Sequence, residues 1–272
     1  MYEDYWNLQA RPFENTAIPA FYYPAESAQG TLLKLRYAVE NRRGAALLTG
    51  GEGLGKTLLA QLLLEQLPEQ FTPKVHVVFP YMPADQLLAY IVRELVGVEQ
   101  SATSTIADSV QAIRRGLSEN TRAGKHAVLV IDEAHLVADF NALETLRLLT
   151  NLETDGMLDM TLLLVGQTEI LPALKRAPAF ETRLAVKCMV KALTADETAS
   201  YVLHRLTTAG ARREIFVPEA LERLHQITNG APRRINRLCD LALLIAFAEE
   251  QSVISAEQIE AVHEELVAVS TD

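Results

Sequence analysis

Two cysteines are the chain's whole supply of thiols. Cys188 and Cys239 stand far apart in 272 residues with no paired spacing. That excludes a disulfide scaffold, a zinc ribbon and a dithiol redox motif, and leaves two reduced thiols. Long apolar runs are missing as well: none reaches the ~18–20 residues that a membrane-crossing helix needs. The opening Met1-Tyr2-Glu3-Asp4 has no basic stretch leading into an apolar one, so it does not read as a signal peptide. The expectation is a cytoplasmic chain, brought to the inner face of a membrane only by partners or a downstream segment. Positive charge is also short, with 25 Lys and Arg against 35 Asp and Glu, a net charge of −10. An acidic balance argues against a stable grip on nucleic acid, although basic residues gathered on one face would reverse that locally. What the chain has is apolar mass, 49% of its residues, enough for one core with a satellite domain. The boundaries read from its texture are an aromatic-rich segment over 1–43, an α/β domain over 44–192 and a helical domain over 193–272.

The most specific stretch is Gly50-Gly51-Glu52-Gly53-Leu54-Gly55-Lys56-Thr57, which fills the phosphate-loop template G-x-x-x-x-G-K-[ST] at every fixed position. Its flanks are those the chemistry requires. Gly44–Thr49 is a short apolar run suited to a buried strand, and Leu58–Leu67 is a good helix former stopped by Pro68. A strand that turns sharply into a helix N-terminus lets consecutive N–H groups face one anion, with the helix dipole adding to the field. Lys56 would reach the terminal phosphates and the Thr57 hydroxyl would ligate Mg²⁺. Residues 50–58 are therefore assigned to binding a nucleoside triphosphate.

A second strand, Lys74–Phe79, and helices over 84–95 and 106–120 lead to Ala127-Val128-Leu129-Val130-Ile131 followed by Asp132-Glu133-Ala134-His135. A buried strand delivering Asp-Glu is the Walker B pattern. Asp132 would hold the metal's shell, and Glu133 would act as base toward the attacking water. The letters Asp-Glu-Ala-His do not make a helicase, because such motors need two full motor domains. After a helix over 138–152 and the Asp155-Gly156 turn, Thr161–Gly166 is a fourth buried strand. It places Gln167 at its carboxyl end, where open α/β sheets hold ligands. A short helix over 169–176 and a fifth strand near 186–190 complete this half.

From Thr194 onward only helices are expected, over 196–209, 218–228, 232–250 and 256–267. Thr194/Glu197 and Ser255/Gln258 have capping-box spacing. Arg233, Arg234 and Arg237 open one of these helices, an arrangement its dipole opposes unless an anion faces them. A triphosphate would be such an anion. At the other end of the chain, Tyr2, Tyr5, Trp6, Phe13, Phe21, Tyr22 and Tyr23 crowd into the first 23 residues and need a surface to cover them. Tyr23 and its neighbours are read either as packing for the fold or as flanking the nucleotide base.

These residues resemble the AAA+ ATPases, and within them the ExeA/GspA secretion ATPases, with the TniB/TnsC/MuB transposition ATPases more distant. The resemblance is carried by Met1-Tyr2 with Pro12-Phe13, Leu47–Thr57, Ile131–His135, Leu164–Gln167, His204–Leu206 with Ala209-Gly210, and Gly230–Leu238. It implies a five-stranded parallel sheet flanked by helices, then a small all-helical lid. It further implies Mg²⁺-dependent ATP hydrolysis, with Gln167 as sensor 1, Arg233 as sensor 2 and Arg183 as an arginine finger acting on a neighbouring subunit. Arg176 is second choice for the finger. Assembly into a ring or filament with ATP bound, and work on a secretion or pilus apparatus, follow from the same resemblance. Two other readings stand beside it: a duplex-DNA-binding regulator of transposition, and a scaffold that binds ATP with negligible turnover. The membrane helix and periplasmic part that ExeA/GspA proteins often carry downstream are not among these 272 residues.

Overall fold

A computed structural model of the chain describes residues 1–15, 19–98, 105–137 and 140–269. In chain order the elements are α1 (Glu3–Trp6), α2 (Glu26–Glu40), β1 (Ala45–Gly50), α3 (Lys56–Gln66), β2 (Lys74–Val77), α4 (Ala84–Val96), α5 (Ile106–Arg122), β3 (Ala127–Ile131) and α6 (Phe140–Leu149). Then come β4 (Glu153–Thr154), β5 (Met157–Leu158), β6 (Met160–Gly166), α7 (Ile170–Lys175), α8 (Pro178–Glu181) and β7 (Leu184–Val190), followed by α9 (Ala195–Thr208), α10 (Pro218–Thr228), α11 (Pro232–Ala248) and α12 (Ala256–Val269). They fall into two compact units, one of Ser27–Gly51 and Leu59–Val190, the other of Met1–Glu26, Glu52–Leu58 and Lys191–Asp272. Among the described residues no helix is long and apolar enough to cross a membrane.

The first of these units is built on a five-stranded parallel sheet in the order β2-β3-β6-β1-β7, flanked by helices. Burial explains the strand sequences. β1, β3 and β6 each have neighbours on both sides and are buried at every position, so they read as unbroken apolar runs. The edge strands β2 and β7 are partly exposed and alternate, as Lys-Val-His-Val does. Leu87, Leu88, Ile91 and Val92 of α4 join Ile113 and Leu117 of α5 in the core beneath Leu129, Ile131, Leu162 and Leu164. Each such side chain contributes about 1.5–3 kcal/mol by leaving water.

Topology then fixes where chemistry can sit. From β1 the chain runs out to the β2 edge, returns through β3 and β6, and crosses β1 to reach β7. The strand order therefore reverses at β1, the switch point at which open α/β sheets hold ligands. Pairings of Thr49 with Gly166, Leu164 with Ile131, and Ile131 with Val77 bring the carboxyl ends of four strands level.

Several expected elements are shorter than the sequence suggests, β2 and α6 among them. β2 ends at Val77 because its last partner, Ile131, ends β3; the Asp132 N–H closes the ladder on Val77 O at 2.8 Å. Val78 and Phe79 lie beyond it and are exposed. The helix expected over 138–152 is α6, Phe140–Leu149, and residues 138–139 lie outside the described residues. Its last residues tighten into bonds of three-residue span from Thr150, Asn151 and Leu152. They lead into the β4–β5 hairpin, whose Asp155 and Gly156 both have positive φ, as a two-residue hairpin turn requires.

In the second unit α9 to α12 pack together. Thr194 and Glu197 form a full capping box at the start of α9, and Ser255 and Gln258 exchange the same pair of bonds before α12. The N-terminal aromatics find their cover here. Trp6 is fully buried and its indole N–H donates to Leu243 O at 3.1 Å. Phe13 meets the edge of Phe216, and the Tyr5 hydroxyl donates to Gln251 O. The buried Arg205 guanidinium donates to the carbonyls of Pro12 and Glu14 and lies over the Phe21 ring. An arginine on α9 thus holds irregular chain that has no ladder of its own to satisfy it.

Candidate functional site

Within the sheet-bearing unit, β3 delivers Asp132 and Glu133 at its carboxyl end. The Asp132 side chain is buried, with 3% of the residue exposed, and its two oxygens have different partners. Oδ1 accepts the Glu133 N–H at 2.8 Å, and Oδ2 lies 3.2 Å from His76 Nε2. His76 reaches it because β2 pairs with β3 and sets His76 opposite Val130. A carboxylate fixed at both oxygens in an apolar setting is oriented before any ligand arrives.

Glu133 adopts a left-handed conformation, φ 47° and ψ 37°, which costs a non-glycine residue about 1–3 kcal/mol. Strain of this size persists where the surroundings over-determine the backbone, and it lifts the Glu133 side chain out of the direction the strand would give it. Its Oε2 is buried without a hydrogen-bond partner; His135 Nδ1 lies 3.4 Å away. The same nitrogen accepts the Gln167 backbone N–H at 3.3 Å. Gly166, the last residue of β6, is what permits that approach. A Cβ there would stand 3.1 Å from His135 N and 3.3 Å from Ala134 N. Gln167 thus follows a strand end that lies against the Walker B turn.

Thr49 is buried just before the phosphate loop, and its hydroxyl donates to Cys188 O at 3.2 Å. Burial pushes the Cys188 thiol above its ordinary value, and both cysteines are free and buried. Arg176 caps α7, and Arg183 follows α8 with its N–H on Phe180 O. Both side chains are exposed.

In the helical unit the loop residues 52–58 show the conformations a phosphate cradle needs. Gly53 and Gly55 have φ of +71° and +84°, and Lys56 and Thr57 are the first residues of α3. Lys56 is buried. Gly53 is required twice over, since a Cβ at that position would come within 2.7 Å of Arg233 Cβ. Arg233 meets this loop with two bonds: its backbone N–H donates to Gly53 O at 3.2 Å, and its Nη1 to Glu52 Oε1 at 2.9 Å. The anion facing this arginine is the loop's own glutamate. Arg234 and Arg237 are exposed on α11. Tyr23 packs its ring against Tyr201 and His204. Leu54 and Leu58 are half-buried.

Sequence reasoning missed three relationships: His76 on Asp132, His135 between Glu133 and Gln167, and Glu52 on Arg233. The first needs the strand order, which no local pattern supplies. His135 stands inside a motif that was read, but its partner comes from a strand thirty residues on. Glu52 occupies a freely variable position of the phosphate-loop template, so its type drew no inference.

A family profile described as "AAA domain" matches residues 39–174. General secretion pathway protein A of Aeromonas hydrophila is 36% identical over 251 residues, 91% of this chain and 45% of that protein. The chain thus spans less than half the length of that relative. Among solved structures, the Aeropyrum pernix ORC2 protein in its ADPNP-ADP complexes superposes with a TM-score of 0.71 at 17% identity, covering 94% of this chain and 72% of that one. Cdc6p from Pyrobaculum aerophilum gives 0.72 at 18% identity, covering 90% and 70%. The Thermotoga maritima RuvB branch migration motor gives 0.62 at 19%, covering 91% and 73%. At these identities the structures speak for the fold alone. With the profile covering half of the chain, from before β1 into α7, the chain belongs to the AAA domain family.

Proposed function

We propose that the chain is a Mg²⁺-dependent ATPase that works as an oligomer. The observation that carries this reading is the pairing of a complete phosphate loop, turning into α3 at Lys56 and Thr57, with a buried strand ending in an oriented Asp132 and a strained Glu133. The residues suit Mg-ATP by type. Loop N–H groups from 50–58 and the Lys56 ammonium bind the phosphates, while the Thr57 hydroxyl and the Asp132 carboxylate hold the metal's shell. The metal supplies charge neutralisation on the phosphates. Glu133 takes the proton of the attacking water. Gln167 orients that water or reads the γ-phosphate, Arg233 answers the phosphates, and Tyr23 flanks the base. In this reading 44–192 binds the nucleotide, 193–272 is the lid, and 1–43 is a segment folded onto the rest.

Arg183 is the residue we assign to a neighbouring subunit's nucleotide, with Arg176 as second choice; both are exposed, as a group acting outside its own chain must be. Such a finger is worth ~10³–10⁵ in rate, so turnover depends on self-association. Similarity to general secretion pathway protein A supports a place in assembling a secretion or pilus apparatus. Light scattering of the pure chain with and without ATP, followed over a range of protein concentration alongside phosphate release, tests the proposal. Growth in mass with ATP, and specific activity rising with concentration, are expected. Slow turnover at all concentrations would make the protein a nucleotide-dependent scaffold. Salt-sensitive binding of duplex DNA only when ATP is present would move it to the transposition type of regulator.

A further inference from the structure

One nitrogen in the sheet-bearing unit faces two groups that it cannot serve together. His135 Nδ1 is 3.3 Å from the Gln167 backbone nitrogen and 3.4 Å from Glu133 Oε2. An imidazole nitrogen carries in its ring plane either a lone pair or a hydrogen. It therefore accepts from an N–H or donates to a carboxylate, never both. In this structure it accepts from Gln167, which puts the ring hydrogen on Nε2. Glu133 Oε2 is correspondingly buried with no hydrogen-bond partner. Packing holds the arrangement closely: the His135 side chain is 11% exposed, and a Cβ on Gly166 would stand 3.4 Å from Nδ1.

We propose that His135 is a positioning residue that couples the Gln167 peptide to the Glu133 carboxylate. The inference rests on reading Glu133 as the base. While the Gln167 N–H occupies Nδ1, the carboxylate goes unheld. When that peptide moves, the ring takes its other tautomer, one proton leaving Nε2 for water and one arriving at Nδ1, with no net change of charge. Nδ1–H then donates to Glu133 and fixes its aim. The strand end that carries Gln167 would thereby decide, through the His135 ring, whether the base is held for reaction.

Two substitutions in the full chain separate this role from packing. His135→Phe keeps a flat ring of similar size and removes Nδ1, whereas His135→Asn keeps a polar atom near the place of Nδ1. Phosphate release is measured against ATP concentration, nucleotide affinity with a fluorescent ADP analogue, and folding by thermal melt. The expected result is a loss in kcat of about 10- to 100-fold for the Phe variant, with KM and analogue affinity unchanged, and recovery of most of that rate in the Asn variant. Wild-type kcat in the Phe variant overturns the inference, and so does an equal loss in both variants that follows their melting temperatures. Absence of turnover by the wild-type chain at every concentration is a different failure. It overturns the ATPase reading and removes the ground on which this inference stands.

Discussion

Arg233 Nη1 lies 2.9 Å from Glu52 Oε1, joining the start of α11 to a variable position of the phosphate loop. Both side chains are largely exposed, at 60% and 72%, so the pair contributes only ~0.2–1 kcal/mol. It matters because Arg233 is also the residue assigned to the phosphates. When Nη1 turns from Glu52 to a triphosphate, it exchanges one anion for the other.

That exchange predicts the effect of Glu52→Gln. Removing the competing charge should tighten ATP binding by up to about fivefold, the pair's whole worth, and the gain should shrink as salt is raised. Titration with a fluorescent nucleotide at low and high ionic strength reads both. An unchanged affinity, in a protein where Arg233→Ala weakens binding, would show that the pair does not compete with nucleotide.

Glu133→Gln should bind ATP and not turn it over. It should also be more stable than the wild type. Glu133 Oε2 is buried without a hydrogen-bond partner, and a neutral amide in its place removes the cost of holding a charged, unpartnered oxygen there. A gain of ~0.5–1.5 kcal/mol is expected, which raises Tm by a few degrees. A lowered Tm would mean that the carboxylate is already well satisfied.

How far the chain could be read in advance depended on where each strand lies. β1, β3 and β6 are buried on both sides, so their apolar runs and the motifs at their ends were plain. The capping boxes of α9 and α12 were equally plain, because both partners lie within one turn. β4 and β5, at two residues each, have no period to detect. The Thr105–Asp108 box that starts α5 went unread although its spacing is local. His76 and His135 carry no local signal, since their partners are set by pairing across the sheet. The early aromatics were rightly expected to need cover, but which surface covers them depends on Arg205 and Leu243, more than 190 residues away.

Arg183→Ala should lose turnover alone and keep its affinity for nucleotide. Mixed with Glu133→Gln, which keeps its own arginine, it should regain part of the activity in shared oligomers, because each variant supplies what the other lacks. Phosphate release from mixtures at fixed total protein measures this. Activity that never exceeds the sum of the separate variants would exclude a finger acting between subunits.

His126 should make the fold weaker in acid. It is fully buried, with Nε2 on Thr161 Oγ1 and Nδ1 on Leu158 O, and burial foremost, aided by the nearby Arg42 charge, lowers its pKa from 6.5 to about 4. The native state keeps it neutral while the unfolded chain protonates it. Its contribution is therefore complete above pH 6.5 and is lost as pH falls toward 4, by up to about 3 kcal/mol. Urea unfolding at pH 7, 5.5 and 4.5 should show that decline, and His126→Gln should show a shallower one. Equal slopes in the two proteins would assign the decline to other groups.

The most direct test is calorimetric titration of the pure chain with ATP and with ADP in the presence of magnesium, beside the same titration of Lys56→Ala. Saturable heat with the wild type and none with the variant is the predicted outcome. Silence from the wild type toward both nucleotides, or undiminished heat from the variant, would contradict the phosphate-loop assignment from which the hydrolysis, oligomer and coupling arguments all descend.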